Sequence, residues 1–176
     1  NGFLITPSGK KYSSLKVKDI VFVSLDGKYE KKYKPSSEWR FHQDIYIKKK
    51  DAQAIVHTHS TNATALSVHK KPIPAFHYMV ALAGGNDIKC AKYATYGTRE
   101  LSKNILKALN NRKACLIANH GQIAFDKNLP DAFELAQEVE NLSLQYITAL
   151  KLGKPKILSI NEMNKVLKKA KNYKRG

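Results

Sequence analysis

The chain has 176 residues, 43% of them hydrophobic and 26% charged, a composition that fits one globular domain and excludes a disordered or low-complexity chain. No apolar run approaches the roughly 18 residues a membrane span needs, and no basic segment followed by an apolar stretch opens the chain. Cys90 and Cys115 have no paired spacing and exclude a disulfide framework, so a soluble, cytoplasmic protein is expected.

Phe3-Leu4-Ile5 and Ile20-Val21-Phe22-Val23 predict two short strands, separated by the turn formers Thr6-Pro7-Ser8-Gly9. Pro35-Ser36-Ser37-Glu38 then leads into Trp39, Phe41, Ile45 and Tyr46. That pattern predicts a helix to about Lys50, capped by the serines and with Glu38 in its first turn. Residues 54–59 predict a buried strand that turns polar at its carboxyl end, followed by a helix over 62–68. An apolar helical stretch over 77–83 is closed by Gly84-Gly85, and a short strand is expected over 88–91.

Leu101, Ile105, Leu106 and Leu109 lie at helical spacing within 98–111, and 114–118 predicts a buried strand ending in Asn119-His120-Gly121. The longest helix is expected over 130–152, stopped by Gly153 and Pro155, with a final helix over 161–172. Strands and helices alternate without a repeat or linker. The expected fold is a single α/β domain over 1–176, with a central mixed or antiparallel β-sheet covered by helices.

The formal charge of +17, from 31 Lys and Arg against 14 Asp and Glu, is the outlying quantity. Most of it is scattered lysine, densest between Lys165 and Arg175. No zinc-finger, leucine-zipper or aromatic RNA-binding pattern accompanies it, so nucleic acid is not an expected partner. Lysine-rich surface usage, which can help to attract an anionic metabolite, is the expected reading instead.

His57 and His59 stand two apart on a predicted strand, so their side chains project from one face and can share an ion. Zinc suits that spacing, but a catalytic site needs a third ligand. His120, at the end of a buried strand and before Gly121, is the best placed; His42, His69 and His77 compete with it. The amide groups at the start of the helix after Glu38, with Ser36 and Ser37, offer a place for a phosphate. So does the turn carrying Ser8 and Gly9, although ordinary capping and chain reversal use the same residues. Tyr78 can supply a proton and Tyr173 can close over a pocket, yet most of nine tyrosines will serve packing. Together these residues suggest a metal-dependent enzyme acting on a phosphorylated metabolite.

Several of these segments occur together in one order: Phe3-Leu4-Ile5-Thr6-Pro7-Ser8-Gly9, Pro35-Ser36-Ser37-Glu38-Trp39-Arg40, Val56-His57-Thr58-His59, Ile73 to Met79, Tyr93 to Leu101, and Asn119-His120-Gly121. In this the chain resembles the class II aldolase/adducin family. The His77-Tyr78-Met79 segment, Ala83-Gly84-Gly85-Asn86 and Tyr96-Gly97-Thr98-Arg99-Glu100-Leu101 resemble most the members that cleave L-fuculose 1-phosphate to dihydroxyacetone phosphate and L-lactaldehyde.

The resemblance implies one Zn2+ per subunit held by His57, His59, His120 and Glu38, with Glu38 also serving as the base. It implies phosphate contacts from Ser8, Gly9, Ser36 and Ser37, Tyr78 as a proton donor in a neighbouring subunit's site, and Tyr173 as a cover. A homotetramer with sites between subunits is expected. On the same scaffold the alternatives are a pentulose-phosphate 4-epimerase, a methylthioribulose-phosphate dehydratase and a noncatalytic adducin-like binding module. Family members begin with a helix and a Gly-Asn loop that helps bind phosphate; this chain opens at Asn1-Gly2 and is expected to lack both.

Overall fold

The elements of the computed structural model, which describes residues 1–30, 32 and 34–172, alternate between strand and helix as the residue pattern predicts. In chain order they are β1 (Gly2–Ile5), β2 (Val21–Ser24), α1 (Trp39–Lys48), β3 (Ala54–Thr58), α2 (Thr61–Ser67), β4 (Ile73–Pro74), β5 (Asp87–Ile88), β6 (Cys90–Ala91), α3 (Arg99–Ala108), β7 (Ala114–Ile117), β8 (Gly121–Asp126), α4 (Leu129–Lys151) and α5 (Ile160–Asn172). A 3-10 helix spans Tyr78–Ala83. Two compact units result, residues 1–50 with 94–106, and residues 51–93 with those from 107 onward.

In the first unit β1 and β2 pair antiparallel, with Phe3 opposite Val23 and Ile5 opposite Val21. Alternation puts these four on one face. They are buried, with Leu25, Trp39 and Tyr46 packed against them, while Leu4 and Phe22 face outward. α1 buries Phe41 and Ile45, four residues apart on one helical stripe. Its start differs from the expectation. Glu38 occupies the N-cap position itself and not the first turn, and no side chain caps the helix. The Ser36 hydroxyl instead accepts the Glu38 amide at 3.3 Å, and the Ser36 carbonyl accepts that of Trp39 at 3.0 Å. The serines shape the turn into the helix.

In the second unit the strand order is β3-β8-β7-β6. β3 and β8 run antiparallel, as do β8 and β7, while β7 and β6 are parallel, so the sheet is mixed, as expected. β7 is buried along its whole length and β8 from Gly121 to Phe125, the pattern of strands covered on both faces. α2 and α4 pack over β8, and Leu116 and Ala124 meet Ala63, Leu66, Leu135, Val139, Leu142 and Met163 in the core. Each such Leu or Val contributes about 1.5–3 kcal/mol of apolar burial.

Three expectations need correction, and a fourth, the helical stretch over 77–83, holds with 3-10 geometry. β8 was not among the expected strands; its Gly-Gln start masks an apolar run only three residues long, Ile123 to Phe125. The strand expected over 88–91 is two: β5 pairs with β4, and β6 joins the main sheet beside β7. The stretch at 77–83 is a 3-10 helix from Tyr78, closed by Gly84 at φ 92°. β3 ends at Thr58, leaving His59 beyond it.

Two of the singled-out motifs are structural. The Arg112 side chain bonds the Asp87 carboxylate and the Asn86 amide oxygen, at 2.6 and 2.9 Å. A Cβ on Gly85 would meet its guanidinium at 2.0 Å, so Gly84-Gly85-Asn86 forms a seat for this arginine. In the first unit Gly97, at φ 73°, brings its backbone against the Ser37 carbonyl, 3.0 Å from where a Cβ would stand. The Thr98 hydroxyl next to it accepts the Leu101 amide and caps α3.

Cys115 is buried and Cys90 half-buried, both as free thiols. Burial raises both, Cys90 to about 11, which leaves them unreactive. Among the described residues no helix is long and apolar enough to cross a membrane.

Candidate metal centre

β3 and β8 lie side by side, with His57 opposite Ile123 and Thr58 opposite Gln122. The turn from β7 into β8 therefore returns to the carboxyl end of β3. The turn is tight. Asn119 sits at φ 54°, in the left-handed region that asparagine tolerates better than most residues. At Gly121 a Cβ would stand 2.3 Å from the Thr58 carbonyl and 3.0 Å from the His59 ring. Asparagine and glycine on either side of His120 thus allow the two backbones to approach closely enough for its ring to reach the β3 end.

Three imidazoles meet there. Ring centroids are 4.9 Å apart for His57 and His59, 5.0 Å for His57 and His120, and 4.8 Å for His59 and His120. A ligand nitrogen from each lies within 4.8 Å of the others. His57 Nδ1 is 2.8 Å from the Gln122 main-chain carbonyl. A carbonyl only accepts, so Nδ1 carries the hydrogen and Nε2 presents a lone pair. His57 Nε2 lies 3.2 Å from His59 Nε2, a distance at which two lone pairs are stable only with a proton or a cation between them. A ring whose far nitrogen donates to a backbone carbonyl is the usual arrangement of a metal-ligating histidine. The residues fit a divalent cation bound by three nitrogens with a position left open.

The competing histidines are elsewhere. Among the described residues none of His42, His69 and His77 belongs to a cluster able to hold a metal. His42 stacks on Phe41 within α1, with ring centroids 4.9 Å apart. His77 caps the 3-10 helix, its Nδ1 accepting the Met79 amide at 3.4 Å, and Tyr78 beside it is 53% exposed.

In the first unit Glu38 is buried, at 7% exposure. An isolated bridge between Pro7 and Pro35 ties the two candidate phosphate segments together. The Ser8 amide donates to the Lys34 carbonyl and the Ser36 amide to the Thr6 carbonyl, both at 2.9 Å. This places the Ser8-Gly9 turn alongside Ser36 and Ser37. Tyr173 lies outside the described residues.

Residue-pattern reasoning missed Gln122 and Glu140. Glu140, on α4, accepts the Asn62 and Ala63 amides, each at 2.8 Å, at the start of α2. Burial raises its carboxyl, but the bonds from those amides and from Ser60 outweigh this and hold it below the ordinary value of 4.5. The helix-start rule looks for a cap next to the helix in sequence; this one comes from another element.

Residues 1–147 match the model of the class II aldolase and adducin N-terminal domain. The chain is 51% identical over 173 residues to a 5-methylthioribulose-1-phosphate/5-deoxyribulose-1-phosphate aldolase of Rhodospirillum rubrum, covering 98% of this chain and 78% of the relative. It is 50% identical over 174 residues to the L-fuculose phosphate aldolase of Escherichia coli K12, covering 98% and 81%. Among solved structures it resembles an L-fuculose 1-phosphate aldolase with a TM-score of 0.92 and 43% identity, covering 96% of this chain and 79% of the other.

Proposed function

The chain belongs to the class II aldolase and adducin family, and from that premise we propose that it is a zinc-dependent aldolase that cleaves a ketose 1-phosphate, L-fuculose 1-phosphate, to dihydroxyacetone phosphate and L-lactaldehyde. The observation that carries the reading is the convergence of His57, His59 and His120, which argues against a noncatalytic adducin-like module. His57, His59 and His120 hold one Zn2+ per subunit, with Glu38 as the fourth ligand. A buried carboxylate such as Glu38 suits a place beside a positive centre.

When bound, the cation supplies Lewis-acid stabilisation of the negative charge that develops on the substrate oxygens as the carbon–carbon bond breaks. The remaining work falls to side chains. Ser8, Gly9, Ser36 and Ser37 bind the phosphate, Ser8 and Ser36 through their hydroxyls because their amides are engaged between the two segments, a role supported by the bridge that joins those segments. In aldol addition Glu38 takes the proton from the carbon that becomes nucleophilic and Tyr78, entering from a neighbouring subunit, donates its phenolic proton to the aldehyde oxygen; cleavage reverses both transfers. Tyr173 closes over the pocket. The enzyme works as a cytoplasmic homotetramer with sites between subunits.

A second substrate has specific support, because the 51% identical relative is named for 5-methylthioribulose 1-phosphate and 5-deoxyribulose 1-phosphate. The test offers the purified protein each of these and L-fuculose 1-phosphate, and measures dihydroxyacetone phosphate release. Release at the highest kcat/KM from L-fuculose 1-phosphate is expected. Faster cleavage of either deoxypentulose phosphate replaces the substrate and keeps the reaction, whereas an isomeric or dehydrated product without fragments overturns the aldolase reading.

A further inference from the structure

Gln122 is an unusual residue for its place. It is 1% exposed, the second residue of a strand otherwise apolar to Phe125, and burying an amide there costs free energy unless its hydrogen bonds are made. Its side-chain Nε2 donates to the Ser60 hydroxyl and to the Ala136 carbonyl, both at 2.9 Å. Ser60 is the N-cap residue of α2, so the bond to its hydroxyl ties β8 to the start of that helix, where the Glu140 carboxylate accepts the Asn62 and Ala63 amides.

These bonds lie next to the candidate ligands His57 and His59. His59 lies one residue beyond the end of β3. Its backbone is set by its neighbours: Thr58, paired with Gln122 across the sheet, and Ser60, the N-cap of α2, bonded to the Gln122 amide. The main-chain carbonyl of the same Gln122 accepts from His57 Nδ1, and His120 is two residues upstream in the turn that starts β8.

We propose that Gln122 is the positioning residue of the three-histidine centre: through Ser60 it fixes His59, and through the β8 backbone it keeps the His57 ring aimed at the shared ion. The proposal rests on the reading of these histidines as metal ligands. It does not depend on which sugar phosphate is cleaved.

The test measures Zn2+ affinity by competition with a chromophoric chelator, and the visible spectrum of the Co2+-loaded protein, in wild type, Gln122→Met and Ser60→Ala. Methionine keeps the length and loses the donor; alanine removes the hydroxyl that receives it. Far-UV circular dichroism checks that each variant is folded. The expected result is a metal dissociation constant about 10–100-fold higher in each variant, with an altered Co2+ spectrum. The double variant should lose little more than either single one, since both changes break one connection.

Folded variants whose affinity stays within about twofold of wild type, with unchanged Co2+ spectra, overturn the proposal. Should Gln122→Met fail to fold, Ser60→Ala decides by the same two readouts. A wild-type protein that binds neither ion overturns the metal reading itself, and this proposal with it.

Discussion

At the scale of single residues, the two-residue step from His57 to His59 was legible because strand geometry alone puts both rings on one side. The third ligand was legible as a ranking: His120 stands at a strand end before glycine, and the structure brings it, and none of the other three candidates, to the pair. What stayed hidden were residues whose role depends on a distant partner, since neither the amide of Gln122 nor the carboxylate of Glu140 bears a local signature. Glu38 looked like an ordinary helix-start acid and is a buried N-cap residue whose side chain makes no capping bond. Replacing it with glutamine keeps the shape and one possible ligand oxygen but removes the proposed base. Glu38→Gln should lower kcat by about 10²–10⁴-fold while the three imidazoles still retain metal, measured by steady-state cleavage alongside metal analysis of the same sample. Near-wild-type turnover would remove Glu38 from the role of base.

At the scale of elements, long periodic segments were readable and two-residue strands were not. α4, expected over 130–152, is found over Leu129–Lys151, because a broad apolar stripe and the stop at Gly153 survive any tertiary context. β4, β5 and β6 are each two residues long, too short to show any period, and their pairing depends on what lies beside them. The start of α2 shows the same dependence. Its only acid is Glu140, borrowed from α4, so breaking that contact tests how far one helix relies on another. Glu140→Gln retains one acceptor and loses the charge. It should destabilise the fold by about 1–2 kcal/mol near neutral pH, a range reduced for the partial exposure of the group. The folded-state carboxyl lies below its ordinary value. Its contribution is therefore complete above the unfolded value of 4.5 and disappears as pH falls through the lowered folded value. Urea titrations of both proteins should show the stability gap near pH 7 and its decline as pH falls below 4.5; a gap independent of pH would mean that the carboxylate charge contributes nothing.

At the scale of the whole molecule, the expected α/β class and the observed fold agree. The mixed sheet with helices on it follows from alternating runs of β-rich and helix-periodic sequence, although the position of β8 inside that sheet required the coordinates. The candidate metal ligands come from the end of β3 and from the β7–β8 turn, which the pairing of β3, β8 and β7 brings together. An unfolded chain offers no such cluster, so ion binding is coupled to folding and stabilises the protein by RT ln(1 + [M]/Kd). At a free ion concentration a thousandfold above Kd this amounts to about 4 kcal/mol, which for a chain of this size raises the melting temperature by roughly 8–16 °C. Stripping the protein with a chelator should lower the melting temperature by that order, and returning Zn2+ should restore it. A His59→Ala variant should melt near the stripped value with or without Zn2+. If wild type melts identically in all three conditions while metal analysis shows the ion leaving and returning, the three-histidine cluster is not coupled to the stability of the sheet that builds it.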